Sequence, residues 1–198
     1  MKRPKKGEEA EFLGKIRSMI DYFYPGIEEE MRKSFILKNK NALRNIKRDV
    51  DFRLWFHAWF LLKYEFPSGA TAMEMADSFP LDYLTKKEKK MVKNFLSYKE
   101  SLFEIIKISE DKKEYFLKDL SDNKEHNIKT IDLPPSLKEK EIIQAIIIKN
   151  MKNDYFFYGI ITSFDITNRK EFVKALLKEI KHENSPREKA KIEWEIQK

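Results

Sequence analysis

Residues 86–108 read KKEKKMVKNFLSYKESLFEIIKI, and the period of the apolar residues changes inside this stretch. In its first half Met91, Val92, Phe95 and Tyr98 recur at the three- and four-residue spacing of a helix face. Lys86, Lys89, Lys90 and Lys93 fall within about 100° of arc on the opposite side. Thr85, with Glu88 three residues on, forms a capping box that starts this helix, predicted over 86–99. From Ser101 the pattern becomes short runs rich in β-branched and aromatic residues, set apart by polar turns. A chain that is helical before this point and extended after it reads as α+β.

Working downstream, strands are predicted at 102–108, 113–119, 127–132, 141–149 and 155–163, separated by SEDK, SDNKEH, LPPSLKEK and NMKND. Five strands at this spacing predict a small, strongly bent, antiparallel, barrel-like sheet. Beyond them Phe172, Val173, Leu176, Leu177 and Ile180 form one helical stripe behind the polar turn at Thr167-Asn168. Ser185-Pro186-Arg187-Glu188 then combines an N-cap, a proline at the first helical position and a capping glutamate.

Working upstream, a helix is predicted over 8–23, carrying Phe12, Leu13, Ile16, Met19, Ile20 and Phe23, and Pro25-Gly26 breaks it. A second helix follows over 27–40 and a third over 42–64, which Pro67-Ser68-Gly69 ends. Thr71 caps a short helix through Ala76. The expected organisation is therefore a helical region over 1–100, a small β domain over 101–165 and carboxy-terminal helices over 166–198.

The third helix contains DFRLWFHAWFLLKYEF (51–66), seven aromatic rings in sixteen positions. On a helical wheel Phe52, Leu54, Trp55, Phe56, Trp59, Phe60, Leu61 and Leu62 occupy nearly the whole circumference, the mark of a buried helix. A membrane span fails on length and on Arg53 and His57. A base-stacking platform needs exposed rings on a strand or loop. These rings are read as core. What remains is a polar seam, Asp49, Arg53 and His57, spaced four residues apart. It reads first as an ion pair with a histidine at the core edge. Its functional reading is an acid–base or ligand-holding group.

Composition narrows the chemistry. At 198 residues with 41% hydrophobic content the chain can bury a sizeable core. It has no cysteine, so disulfides, thiolate nucleophiles and cysteine-ligated metals are excluded. Its five glycines, at 7, 14, 26, 69 and 159, build no phosphate-cradling loop. There is no G-x-S-x-G or H-E-x-x-H motif. His57, His126 and His182 stand in different elements, with His126 placed in a polar turn. No catalytic residue, metal site or cofactor is predicted. Residues 1–12 lack the apolar stretch of a secretory signal, and no apolar run approaches about 20 residues, so a cytoplasmic protein without a membrane segment is expected.

The net charge is +7, but lysine outnumbers arginine 32 to 8, which looks like a compositional bias as much as selection for a polyanion. Residues 1–100 carry 21 basic and 15 acidic residues, 101–165 carry 10 and 12, and 166–198 carry 9 and 6. Lys2, Arg3, Lys5 and Lys6 form a basic arm, and Lys170, Lys174, Lys178 and Lys181 repeat the lysine face in the late helix.

From Phe52 to about Asp165 the order of features resembles a group of uncharacterised prokaryotic proteins that pair a helical region with a small β domain, often with a cysteine-rich zinc-binding tail called SEC-C. The resemblance rests on Trp55-Phe56…Trp59-Phe60, Ser68-Gly69-Ala70-Thr71, Leu84-Thr85…Glu88, Ser101-Leu102-Phe103-Glu104-Ile105 and Leu117-Lys118-Asp119-Leu120. These are hydrophobic-pattern motifs, and the tail is missing here. The resemblance implies the fold and no activity.

Two functions are expected from these residues. The first is a non-enzymatic interaction module that binds a protein partner through the small β domain, where unpaired strand edges suit strand addition. The alternative is nucleic-acid binding without sequence preference through Lys86, Lys89, Lys90 and Lys93. An enzyme working through Asp49, Arg53 and His57 comes third. No oligomeric state is read from the sequence.

Overall fold

The structure, a computed structural model, describes residues 6–43, 49–79, 83–111, 113–129, 137–164 and 169–183. The chain divides into two compact units between Leu96 and Ser97.

The first unit holds α1 (Lys6–Phe23), α2 (Ile27–Lys38), α3 (Lys40–Leu43), α4 (Asp49–Leu62), α5 (Ala72–Ser78) and α6 (Lys86–Leu96). The α1 stripe is buried at Phe12, Ile16, Met19 and Ile20, and the Phe12 ring packs on Phe95 of α6 at 5.7 Å. Gly26, at φ 75°, takes the left-handed turn that separates α1 from α2, and its N–H donates to Asp21 Oδ1 at 3.1 Å. At α5 the Thr71 N–H donates to Glu74 Oε2 at 2.8 Å and the Glu74 N–H to Thr71 Oγ1 at 3.4 Å, a complete capping box.

The aromatic helix α4 supplies core, as its rings require. Phe35 of α2 lies among Phe52, Trp55, Phe56 and Trp59, with ring centroids 4.9 to 6.2 Å away. It is not buried all round, however. Phe56, Phe60, Leu61 and Leu62 are buried, while Leu54 is 45% exposed and Trp55 and Trp59 are half-buried. Burial concentrates in the last two turns, so a wheel that averages over the whole helix overstates it.

The second unit begins where α6 ends. The predicted helix ran to Lys99, but α6 stops at Leu96, and Lys99 already pairs with Ile147 as the first residue of a strand. Ladder hydrogen bonds to a distant strand replace the last helical turn. The strands are β1 (Lys99–Ile108), β2 (Glu114–Asp119), β3 (Glu125–Lys129), β4 (Ile142–Lys149) and β5 (Tyr155–Phe164). Their pairing runs β1-β2-β3-β5-β4 and closes back on β1.

The sheet is mixed, where an antiparallel one was expected. Four ladders are antiparallel, and β3 meets β5 in parallel at Ile128↔Tyr155. The reason is parity: five strands closed in a ring cannot alternate direction all the way round, so one neighbouring pair must run the same way. The seam falls between β3 and β5.

Two irregularities bend the sheet. Ile106 is the extra residue of a bulge between Ile105 and Lys107 and points out, 41% exposed. In β5, Gly159 at φ 83° lies where the β4 register jumps from Gln144↔Thr162 to Ile146↔Tyr158. The interior packs Phe103, Ile105, Tyr115, Leu117, Ile128, Ile143, Ala145 and Ile147 against Tyr155 and Phe157. Outside, Leu102 and Ile142 lie under Val173, Leu176, Leu177 and Ile180 of α7 (Arg169–Glu183), which belongs to this unit. Strand residues 130–132, the turn at Thr167-Asn168, the Ser185–Glu188 cap and Lys2, Arg3 and Lys5 lie outside the described residues. Among the described residues no helix is long and apolar enough to cross a membrane.

Candidate functional site

The polar seam of α4 is completed by other helices. His57 is half-buried and its Nε2 lies 3.7 Å from Glu28 Oε1 on α2. The Arg17 guanidinium of α1 forks onto the same carboxylate, with Nε donating to Oε2 at 2.8 Å and a second N–H to Oε1. Burial holds His57 below its ordinary pKa, Arg17 adds to that, and Glu28 opposes it. Arg53 is exposed, and the Asp49 side chain lies outside the described residues. An open cleft of about 320 Å³ lies beside the pair, lined by Gly14, Arg17, Ser18, Asp21, Ile27 and Glu28 among others. The carboxylate is committed to a bidentate guanidinium. A neutral histidine at the edge of such a pair joins three helices.

The lysine face stands as the wheel placed it. Lys86, Lys89, Lys90 and Lys93 are exposed on α6, whose opposite side buries Val92 and Phe95. The capping box is formed: Thr85 N–H donates to Glu88 Oε2 at 2.7 Å and Glu88 N–H to Thr85 Oγ1 at 3.2 Å. Glu88, the one acidic residue in α6, is also bound by Lys15 of α1, Nζ to Oε1 at 2.7 Å. Partial burial works against the Glu88 anion, yet Lys15 and Thr85 outweigh it and hold the carboxyl below the usual range.

A third cluster was not anticipated, and it lies in the second unit. His126, placed in a polar turn by its sequence neighbours, is on β3, 9% exposed, paired with Leu117 of β2. Its ring meets Tyr155 and Phe103 edge-on at 5.0 and 5.9 Å, and its Nε2 is buried without a hydrogen-bond partner. Nearby, Asp119 has no exposed surface. Its Oδ1 accepts from Ser101 Oγ and from the Ser121 N–H, both at 2.7 Å. Its Oδ2 makes no well-aligned hydrogen bond but lies 2.6 Å from Lys99 Nζ, which therefore supplies its counter-charge. Lys99 also binds Asp122 Oδ2 at 2.8 Å.

The charges of this cluster are locked. Burial disfavours both ions, but the close approach of Lys99 to Asp119, with Ser121 and Ser101 bound to Asp119 and Asp122 bound to Lys99, outweighs it: Asp119 is held below the usual carboxylate range and Lys99 above the usual amine range. Lys99 draws Asp122 down to about 2. Burial and then Lys99 lower His126, with Asp119 and Asp122 opposing. The cluster ties β1 to the β2–β3 turn. Among the described residues no three His, Asp or Glu side chains gather as a metal-ion site.

The signal that could have found this cluster was weak. Ser101, Asp119 and His126 sit at alternate, inward positions of three different strands, and inward polar residues in a short apolar barrel need partners. Comparison with curated proteins and with solved structures finds no match. A family model does match, over residues 45–194, taking in α4 to α7 and every strand. Spanning both the aromatic helix and the closed sheet, that match shows that the chain belongs to the family of unknown function DUF7986.

Proposed function

We propose that this protein is a non-catalytic interaction module whose small barrel binds an extended segment of a partner protein along β5. One observation carries this reading. β5 is ten residues long and pairs with β4 at seven positions, but among the described residues it meets β3 at one, Ile128↔Tyr155. No residue of β5 is fully buried, and Tyr155, Phe156, Phe157 and Tyr158 stand half-buried in succession. The part of this edge that β3 leaves unpaired among the described residues offers main-chain hydrogen bonds, and its aromatic side chains offer pockets that select the incoming segment. The ion pairs described above are structural, which argues against a catalytic role, and the lack of cysteine suits a reducing compartment such as the cytoplasm.

The test is a photo-cross-linking amino acid at Ile160 of β5, used in intact cells. A discrete cross-linked protein is expected, absent when the probe is at Lys113 in the β1–β2 turn. A Tyr158→Lys change in the Ile160-probe protein should abolish it, since a charge on an edge strand blocks strand addition. Equal labelling from both positions would overturn the reading.

A further inference from the structure

A second surface lies on the helical unit and is independent of β5. We infer that a file of aromatic rings, Tyr22, Phe23, Phe79 and Tyr83, docks a proline-rich segment of another protein that carries a basic residue beside its prolines. Three features of the structure support that occupant.

The first is the ring file, which joins the last turn of α1 to the end of α5 and the residue before Leu84. Tyr22 meets Phe23 edge-on at 5.1 Å, Phe23 meets Phe79 at 5.8 Å, and Phe79 meets Tyr83 at 5.8 Å. Phe23 and Phe79 are half-buried, while Tyr22 is 77% and Tyr83 39% exposed. Contiguous apolar surface of this kind marks a binding site more often than single exposed side chains do. Proline-rich segments hold an extended polyproline II form before they bind, and aromatic-lined surfaces recognise them. Such a chain rises about 3.1 Å per residue, so four rings at these spacings line at most about five residues. The Tyr22 hydroxyl adds a donor for the carbonyls that a polyproline chain leaves unbonded.

The second is charge. Asp21 precedes Tyr22 and Asp77 stands two residues before Phe79, and both are exposed. Asp21 also lines the open cleft of about 320 Å³ together with Arg17 and Glu28. Arg17 and Glu28 neutralise each other as a bidentate pair, so Asp21 leaves the cleft with a net negative charge. Asp21 Oδ1 accepts from the Gly26 N–H, and among the described residues Asp21 makes no ion pair. At the other end of the file Lys15, whose carbonyl accepts from the Tyr83 hydroxyl at 3.3 Å, is bound to Glu88. In a chain of net charge +7 this border is acidic, and a cation beside the prolines complements it.

The third is what the surface opposes. Carboxylates beside the rings repel the phosphates of nucleic acid and of an anionic lipid surface. A helical surface has no strand edge, so strand addition, the mode proposed for β5, is unavailable here.

The experiment is fluorescence anisotropy of labelled peptides of five prolines with an arginine at either end, titrated with the whole protein. Saturable binding is expected, weakened about tenfold when glutamate replaces arginine, since an exposed attraction becomes a repulsion. Tyr22→Ala should weaken it at least about tenfold through loss of an aromatic anchor, with an unchanged circular dichroism spectrum. Asp21→Asn should keep proline binding and lose most of the preference for arginine over glutamate. No saturable binding at millimolar protein would overturn the inference, as would wild-type affinity in Tyr22→Ala. Equal affinity for a Gly-Ser peptide with the same arginines would reduce the surface to charge alone and equally overturn it. Self-association that Tyr22→Ala abolishes and the proline peptides do not compete would assign the rings to a second copy instead.

Discussion

Lys99 Nζ lies 2.6 Å from Asp119 Oδ2, joining the first residue of β1 to the last residue of β2. Asp119 has no exposed surface, and Lys99 lies where the chain passes from the helical unit into the sheet. The pair fixes the start of β1 against the β2–β3 turn, which Asn123 closes through its N–H to the Asp119 carbonyl at 2.9 Å.

Removing one partner should cost far more than removing both. Lys99→Met leaves a buried carboxylate uncompensated and should destabilise the protein by about 3–5 kcal/mol in urea unfolding. Lys99→Met combined with Asp119→Leu should recover most of that loss, because two apolar side chains in place of a buried ion pair are often tolerated. A double variant less stable than Lys99→Met would show that the serine and backbone hydrogen bonds of Asp119 dominate.

His126 should make the β3–β5 seam sensitive to acid. Its folded-state pKa is lowered, chiefly by burial. The unfolded chain therefore binds the proton more readily. Stability is fully present above the ordinary pKa of about 6.5 and falls as pH drops from there toward the folded value. His57 shifts in the same direction in the other unit. Hydrogen-exchange protection factors of β3 and β5 amides, corrected for the intrinsic rate, should fall between pH 7 and pH 5, and His126→Leu should remove that fall while His57→Gln leaves it. A second loss belongs to the carboxylates: Asp122 and Asp111, each held at about 2 against 3.8, release stability as pH falls through that interval.

Gly159 should resist substitution. It holds φ 83° at the register jump in β5. An alanine there pays about 1–2 kcal/mol for the left-handed backbone, read as a lowered Tm. A Tm equal to wild type would mean that β5 can take a regular register.

The amino-acid sequence by itself determined the local elements: the change of period at Ser101, the Thr85–Glu88 cap, the lysine face of α6 and five strands near their observed positions. Each is written in spacings of two to four residues, so neighbours in the chain suffice to encode it. Only the tertiary structure decided three other things. The end of α6 moved because Lys99 found Ile147 on a strand 48 residues away. His57 acquired Glu28 and Arg17 from two other helices, and His126 left its polar neighbourhood to lie between Phe103 and Tyr155. The parallel seam followed from closure, since an odd ring of strands cannot alternate throughout. These outcomes depend on which distant segments pair and in what register, and no periodicity along the chain carries that choice.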